Sequence, residues 1–222
     1  MTGTTLYVVE LEMPPAHIAE FTEWFANRHA VDLFKSGFQN CSCYRAVEGG
    51  MNLCDIYELT DPEIFWTAAY QNVRKLDPHN AIIQKRTDHT SSIYTQRRID
   101  GAPAGAPMEM LDADWVTMIR FDAPPQAEAE LVAWIEGNEW PLLSAVGASR
   151  LRFGAHSFDH PLAGPSKRPR CVALAEWSER PGKAAEIAAR LNDRFAGEVS
   201  RLDAYVGYRI YPWANKPVPA GN

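Results

Sequence analysis

The feature that most constrains this chain is an internal repeat. Pro14-Pro15 is answered by Pro124-Pro125, Trp24 by Trp134, His29 by Glu139 and Gly37 by Gly147, each about 110 positions on. A 222-residue chain built this way is expected to form two copies of one supersecondary unit. Each copy must bury its apolar faces against something. Because His29 is matched by Glu139, the two copies are expected to differ in chemistry.

The sharpest part of the repeat is the run from Trp24 to Phe38. Ile18, Phe21, Phe25 and His29 recur at helical spacing, which puts His29 on the inward, apolar stripe. Asp32 follows three residues later and can reach the same helix face. Gly37 then supplies a cheap helix stop. An ionisable ring on a buried stripe, with a carboxylate one turn away, is the strongest chemical signal in the chain.

The elements follow from pattern and punctuation. Leu6 to Met13 reads as a strand rich in β-branched and aromatic residues. Pro14-Pro15 opens a helix running to about Phe34. Phe38 to Val47 and Leu53 to Leu59 form a hairpin around Gly49-Gly50. Thr60-Asp61-Pro62-Glu63 caps a second helix, which Asp77-Pro78 ends. A polar segment, His79 to Thr90, precedes a strand from Ser91 to Ile99. The order is β-α-β-β-α-β, that of ferredoxin-like units. A Gly/Pro/Ala linker follows, and the order recurs: strand 115–121, helix 125–144, strands 149–156 and 171–177, helix 183–195 and strand 205–211. The expected division is a first repeat over 1–99, a linker over 100–112, a second repeat over 113–213 and a loose tail over 214–222. The first strand is apolar on both faces, with Leu6 and Val8 on one and Tyr7, Val9, Leu11 and Met13 on the other. Both faces must then be covered. The expected fold is α+β, with the two repeats packed sheet to sheet as an α/β barrel.

Composition narrows the partners. A net charge of −6 and a pI near 5.5 argue against nucleic acid or an anionic membrane. The short basic cluster Lys167-Arg168-Pro169-Arg170 sits among Gly and Pro and reads as a solvated loop. No apolar run approaches the ~18 residues of a membrane span. Met1 to Thr5 lacks the features of a secretion signal, so a cytoplasmic location is expected. Cys41, Cys43, Cys54 and Cys171 have no metal-ligand spacing and read as small buried hydrophobes, with no metal expected. No phosphate-cradling glycine loop or paired nucleophile motif is present, which argues against nucleotide chemistry.

The Trp24-x4-His29-x3-Leu33-x3-Gly37-Phe38 run after a first strand, with the strand exit Tyr57-Glu58-Leu59, resembles the dimeric α/β-barrel superfamily. The nearest likeness is to its EthD-like and antibiotic-biosynthesis-monooxygenase-like members. The resemblance covers nearly the whole chain as two copies. It implies a pocket between sheet and helices. It also implies a choice among cofactor-free monooxygenases, polyketide cyclases, lactone isomerases and haem-handling proteins, which fold alone does not make. The second copy departs from the pattern at Glu139 and Pro141, so no second equivalent site is expected.

The residues suggest three functions. In the first, a cofactor-free lyase, isomerase, cyclase or monooxygenase acts on a small apolar, oxygenated compound, aromatic or polyketide-like. His29 is then the base, Asp32 its partner, and Tyr44 or Tyr57 the donor to an oxyanion. Trp24, Arg45, His79, His89 and Tyr94 are the expected substrate contacts. In the second, the chain binds haem through one of His29, His79, His89, His156 and His160. In the third, a non-catalytic pocket sequesters a small molecule. The barrel could close within one chain, and chains could still pair as a homo-oligomer through helix faces or sheet edges.

Overall fold

The computed structural model describes residues 4–76, 81–103, 106, 108–182 and 184–212. Its strands are β1 (Thr5–Glu12), β2 (Asn40–Glu48), β3 (Leu53–Leu59), β4 (Asp88–Arg98), β5 (Trp115–Asp122), β6 (Ala148–His156), β7 (Cys171–Trp177) and β8 (Ser200–Tyr211). They close into one antiparallel barrel in the order β1-β3-β2-β8-β5-β7-β6-β4. Within residues 5–98 the order is β4-β1-β3-β2, and within 115–211 it is β8-β5-β7-β6. The two halves share a strand order, pack their inner faces together as expected and also join edge to edge. β2 pairs with β8 and β4 with β6, so every strand edge is hydrogen-bonded.

The helices lie outside the barrel. After β1 comes one long helix, α1 (Ile18–Trp24) and α2 (Ala30–Lys35), joined by a single π-turn at Phe25–His29. The second half repeats this with α4 (Glu128–Trp134), a π-turn at Ile135–Glu139 and α5 (Trp140–Ala145). The extra residue in each π-turn shifts the helical phase at the point where His29 and Glu139 sit. Gly37 leaves the first helix at φ 108°, a conformation that favours glycine, and hands the chain to β2. α3 (Ala68–Leu76) and α6 (Ala184–Arg194) cover the remaining outer sheet surface. Among the described residues, no helix is long and apolar enough to cross a membrane.

Strand alternation sorts side chains into three layers. Outward residues of the first half, such as Tyr7, Leu11, Cys41, Cys43, Leu53, Tyr57 and Ile93, pack under the first-half helices. Their second-half counterparts include Phe121, Leu151, Phe153 and Ala175. Inward residues, including Leu6, Val8, Tyr44, Ile56, Tyr94, Met118, Leu174 and Tyr205, fill the barrel. Charged groups are buried among them. Arg120 pairs with Glu10 and Asp203, and Glu10 also pairs with Arg168. Arg152 bonds Glu58 and Glu176. Both networks join one half of the chain to the other, and both guanidinium groups are only 1% exposed. The barrel interior is therefore a packed core cross-linked by ion pairs, and the space for a ligand lies outside it.

Candidate active site

The first-half sheet and helices enclose a cavity of about 220 Å³ lined by described residues. Its floor is Tyr7, Val9 and Leu11 of β1, Asp55 and Tyr57 of β3, and His89 of β4. Its walls are Trp24, His29 and Leu33 of the first helix, Tyr70 and Val73 of α3, and Ile83, Gln84 and Arg86 beyond it. β3 reads Leu53-Cys54-Asp55-Ile56-Tyr57-Glu58-Leu59, so alternation puts Asp55 and Tyr57 together on the outer face and Cys54, Ile56 and Glu58 inside.

His29 stacks on Trp24, with ring centroids 4.6 Å apart and planes 18° from parallel. It also meets Phe25 at 5.6 Å and the edge of Tyr57 at 6.2 Å. The π-turn at Phe25–His29 aims this ring at the sheet while keeping it half-buried. Asp55 lies across the floor and is 2% exposed. Burial pushes its carboxyl up to about 7, opposed by the neighbouring Cys43 thiol and Tyr57 hydroxyl, which favour the charged form. Its Oδ1 is buried with no hydrogen-bond partner among the described residues. Burial and the adjacent Asp55 charge hold the Tyr57 phenol well above its ordinary range, so Tyr57 is a neutral donor. The cavity thus joins an imidazole, a carboxyl poised near neutrality and a phenol, all against aromatic walls.

The sequence-derived residues divide on this geometry. Trp24, His29, Tyr57 and His89 line the cavity. His79 lies outside the described residues. Asp32 is not at the cavity: it pairs with Lys35 at 3.3 Å and Arg28 at 3.8 Å. Tyr44 and Tyr94 point into the barrel, because they sit at the inward positions of β2 and β4. Tyr44 donates to the Ala113 carbonyl at 2.9 Å and Tyr94 to the Pro169 carbonyl at 3.3 Å. Arg45, opposite Leu53 on β2, does not line the cavity either. The carboxylate that lines the cavity is Asp55 and not Asp32, the expected partner of His29. The signal for Asp55 was a carboxylate on the same strand face as Tyr57, two residues before it.

The second half shows what the first would be without this chemistry. Its equivalent space is about 20 Å³, lined by Thr117, Ile119, Ile135, Glu139, Leu143 and Leu191 among others. Ala173 and Ala175 stand where β3 has Asp55 and Tyr57. Glu139, at the place of His29, is 2% exposed and gripped by Arg190 through two nitrogens, at 2.9 and 2.6 Å. Among the described residues, no group of three or more His, Cys, Asp or Glu could hold a metal ion.

No family model and no curated protein matches the sequence. Solved structures do. An anthrone oxidase-like protein aligns with 95% of this chain and 92% of its own, at a TM-score of 0.65 and 12% identity. A haem-binding protein from Thermus thermophilus aligns with 94% of this chain and 92% of its own, at a TM-score of 0.55 and 10% identity. A chlorite dismutase variant from Candidatus Nitrospira defluvii gives the same TM-score and coverages of 94% and 92%, at 9% identity. At these identities what the likeness shows is a shared fold.

Proposed function

On that fold, we propose that the chain is a tandem pair of ferredoxin-like repeats in which the first works as a cofactor-independent enzyme. It would act on a small apolar, oxygenated compound, aromatic or polyketide-like, by proton transfer. The observation that carries this reading is the asymmetry of the two halves. One keeps a 220 Å³ cavity with His29, Asp55 and Tyr57, and the other fills its place with alanines and an ion pair. A plain structural core needs no buried carboxyl beside an open cavity, since isolated buried charge is costly.

His29 is the base in this reading and takes a proton from a carbon acid or phenol held against Trp24 and Tyr7. Negative charge then develops on the substrate oxygen. Asp55, still protonated below about pH 7, donates to that oxygen, while Tyr57 donates to the other carboxyl oxygen and holds it in place. The anthrone oxidase-like neighbour makes polycyclic aryl ketones with an activated methylene a sensible first panel.

The haem alternative fits the residues less well. The cavity of about 220 Å³ is below the ~300–1,000 Å³ typical of pockets for drug-sized ligands, and a haem is larger than most of these. The second-half space is smaller still. His160 has both ring nitrogens engaged.

The test is deuterium exchange at the activated carbon of anthrone and related ketones, followed by NMR, with oxygen uptake recorded alongside. His29→Ala and Asp55→Asn are each expected to slow exchange by ~10²-fold or more with the fold intact. Equal exchange rates in wild type and both variants would sink the proposal.

A further inference from the structure

On the outer face of the first-half sheet, β2 and β3 set two pairs of side chains directly across from each other. Cys43 is opposite Asp55, and Cys41 is opposite Tyr57. In such a cross-strand pair the Cβ atoms stand about 4.5–5.5 Å apart, close enough for a thiol to reach a carboxyl. Both members of the first pair are buried, Cys43 fully and Asp55 to within 2%. The second half repeats the register with other chemistry: Phe153 is opposite Ala173, and Leu151 is opposite Ala175. The fold thus accepts an apolar pair at this place, so packing alone does not require a thiol beside a carboxyl.

A buried carboxyl that gives up its proton needs donors, because bulk water does not reach it. Asp55 Oδ1 is buried with no hydrogen-bond partner among the described residues. On its other side Asp55 is opposite Val9 of β1, which offers no donor. Cys43 is therefore the cross-strand neighbour that can supply one, through an S–H that rotates to suit. Burial, and then the Asp55 charge, push the thiol well above its ordinary range, so it keeps its proton and remains a donor. Further titratable groups line the cavity: Tyr7 of β1, His29 of the first helix, Tyr70 of α3, Arg86 ahead of β4 and His89 within it. All of them are the same in every variant described below, so a difference between variants reports Cys43.

We infer that Cys43 is the positioning residue of Asp55, its S–H donating to the carboxyl as negative charge gathers there while Asp55 donates toward a ligand oxygen. This rests on the proton-transfer reading of the cavity. The thiol forms no bond to the ligand and stays reduced throughout.

Carbon-13 NMR of the side-chain carboxyls follows Asp55 in the full chain without ligand, its signal identified by loss in Asp55→Asn. Cys43→Ala removes the donor and is expected to raise the Asp55 midpoint by about 0.5 pH unit or more. Cys43→Val, which fills the place without a donor, repeats the test should the alanine variant not fold. Cys43→Ser keeps a donor and is expected to hold the midpoint at or below that of the wild type. Cys41→Ala, one pair along the same face, is expected to leave it within about 0.2 pH unit. The high-pH limb of anthrone deuterium exchange should move in step with the midpoint. A purely structural role would shift the alanine and serine variants the same way, and that result overturns the inference. So does a midpoint unchanged in Cys43→Ala. In either case, exchange still lost in His29→Ala leaves the cavity reading standing. The expected midpoints with no exchange by the wild type would support the thiol bond and overturn the reading beneath it.

Discussion

Asp55→Asn should make the folded chain more stable in a way that depends on pH. The unfolded carboxyl titrates near 3.8 and the folded one near 7. Between those values the folded state keeps a proton that the unfolded state has lost. Unfolding then releases a proton, and stability falls as pH rises through this window. Below about pH 4 both states are protonated and the cost vanishes. With these two values, linkage puts the cost of ionising Asp55 at roughly 2 kcal/mol at pH 5 and about 4 kcal/mol at pH 8. Asparagine fills nearly the same space and cannot ionise, so its own stability carries no such slope. Urea unfolding of both proteins at pH 5 and pH 8 measures the difference directly. The advantage of the variant should grow by about 2–3 kcal/mol between them. A difference that stays constant to within about 1 kcal/mol would mean that Asp55 titrates like an ordinary carboxylate, and the acid–base reading of the cavity would lose its poised group.

Two further results follow from the packing. Arg152→Met should cost about 3–5 kcal/mol in urea unfolding, because Glu58 and Glu176 would be left buried without their shared cation; a loss under about 1 kcal/mol would show that the network does not hold the halves together. The thiols should be inert to Ellman's reagent in the native protein and all four reactive in denaturant, since burial pushes Cys171 to about 11 and raises Cys41, Cys43 and Cys54 further; rapid native reaction at any of them would contradict the described packing.

Much of the fold was legible because punctuation and pattern agreed. β3 and β7 run from Leu53 to Leu59 and from Cys171 to Trp177, as the sequence suggests, since a Gly-Gly turn or a loop opens each and a turn closes it. The start of β8 was not legible. Ser200 to Ala204 is polar and mixed, and it pairs with β5 only because the barrel closes there. The union of the halves by edges depends on partners far apart in the chain, such as Tyr44 with Arg209 and Arg98 with Arg152, which no local pattern reports. At the site, His29 was legible because a helix stripe marks its own inward face. Tyr44 and Tyr94 were misread because being on a strand does not say which side of a closed barrel a residue faces. Asp55 was within reach, as its repeat partner in β7 is Ala173.

The central claim is that only the first-half cavity takes a ligand. Methyl NMR of the chain titrated with 4-nitrophenol tests it most directly. Shifts are expected at Leu11, Leu33 and Ile83 around the first cavity, with Ile135, Leu143 and Leu191 of the second half unmoved. Shifts confined to the second set, or none in either, would contradict the account.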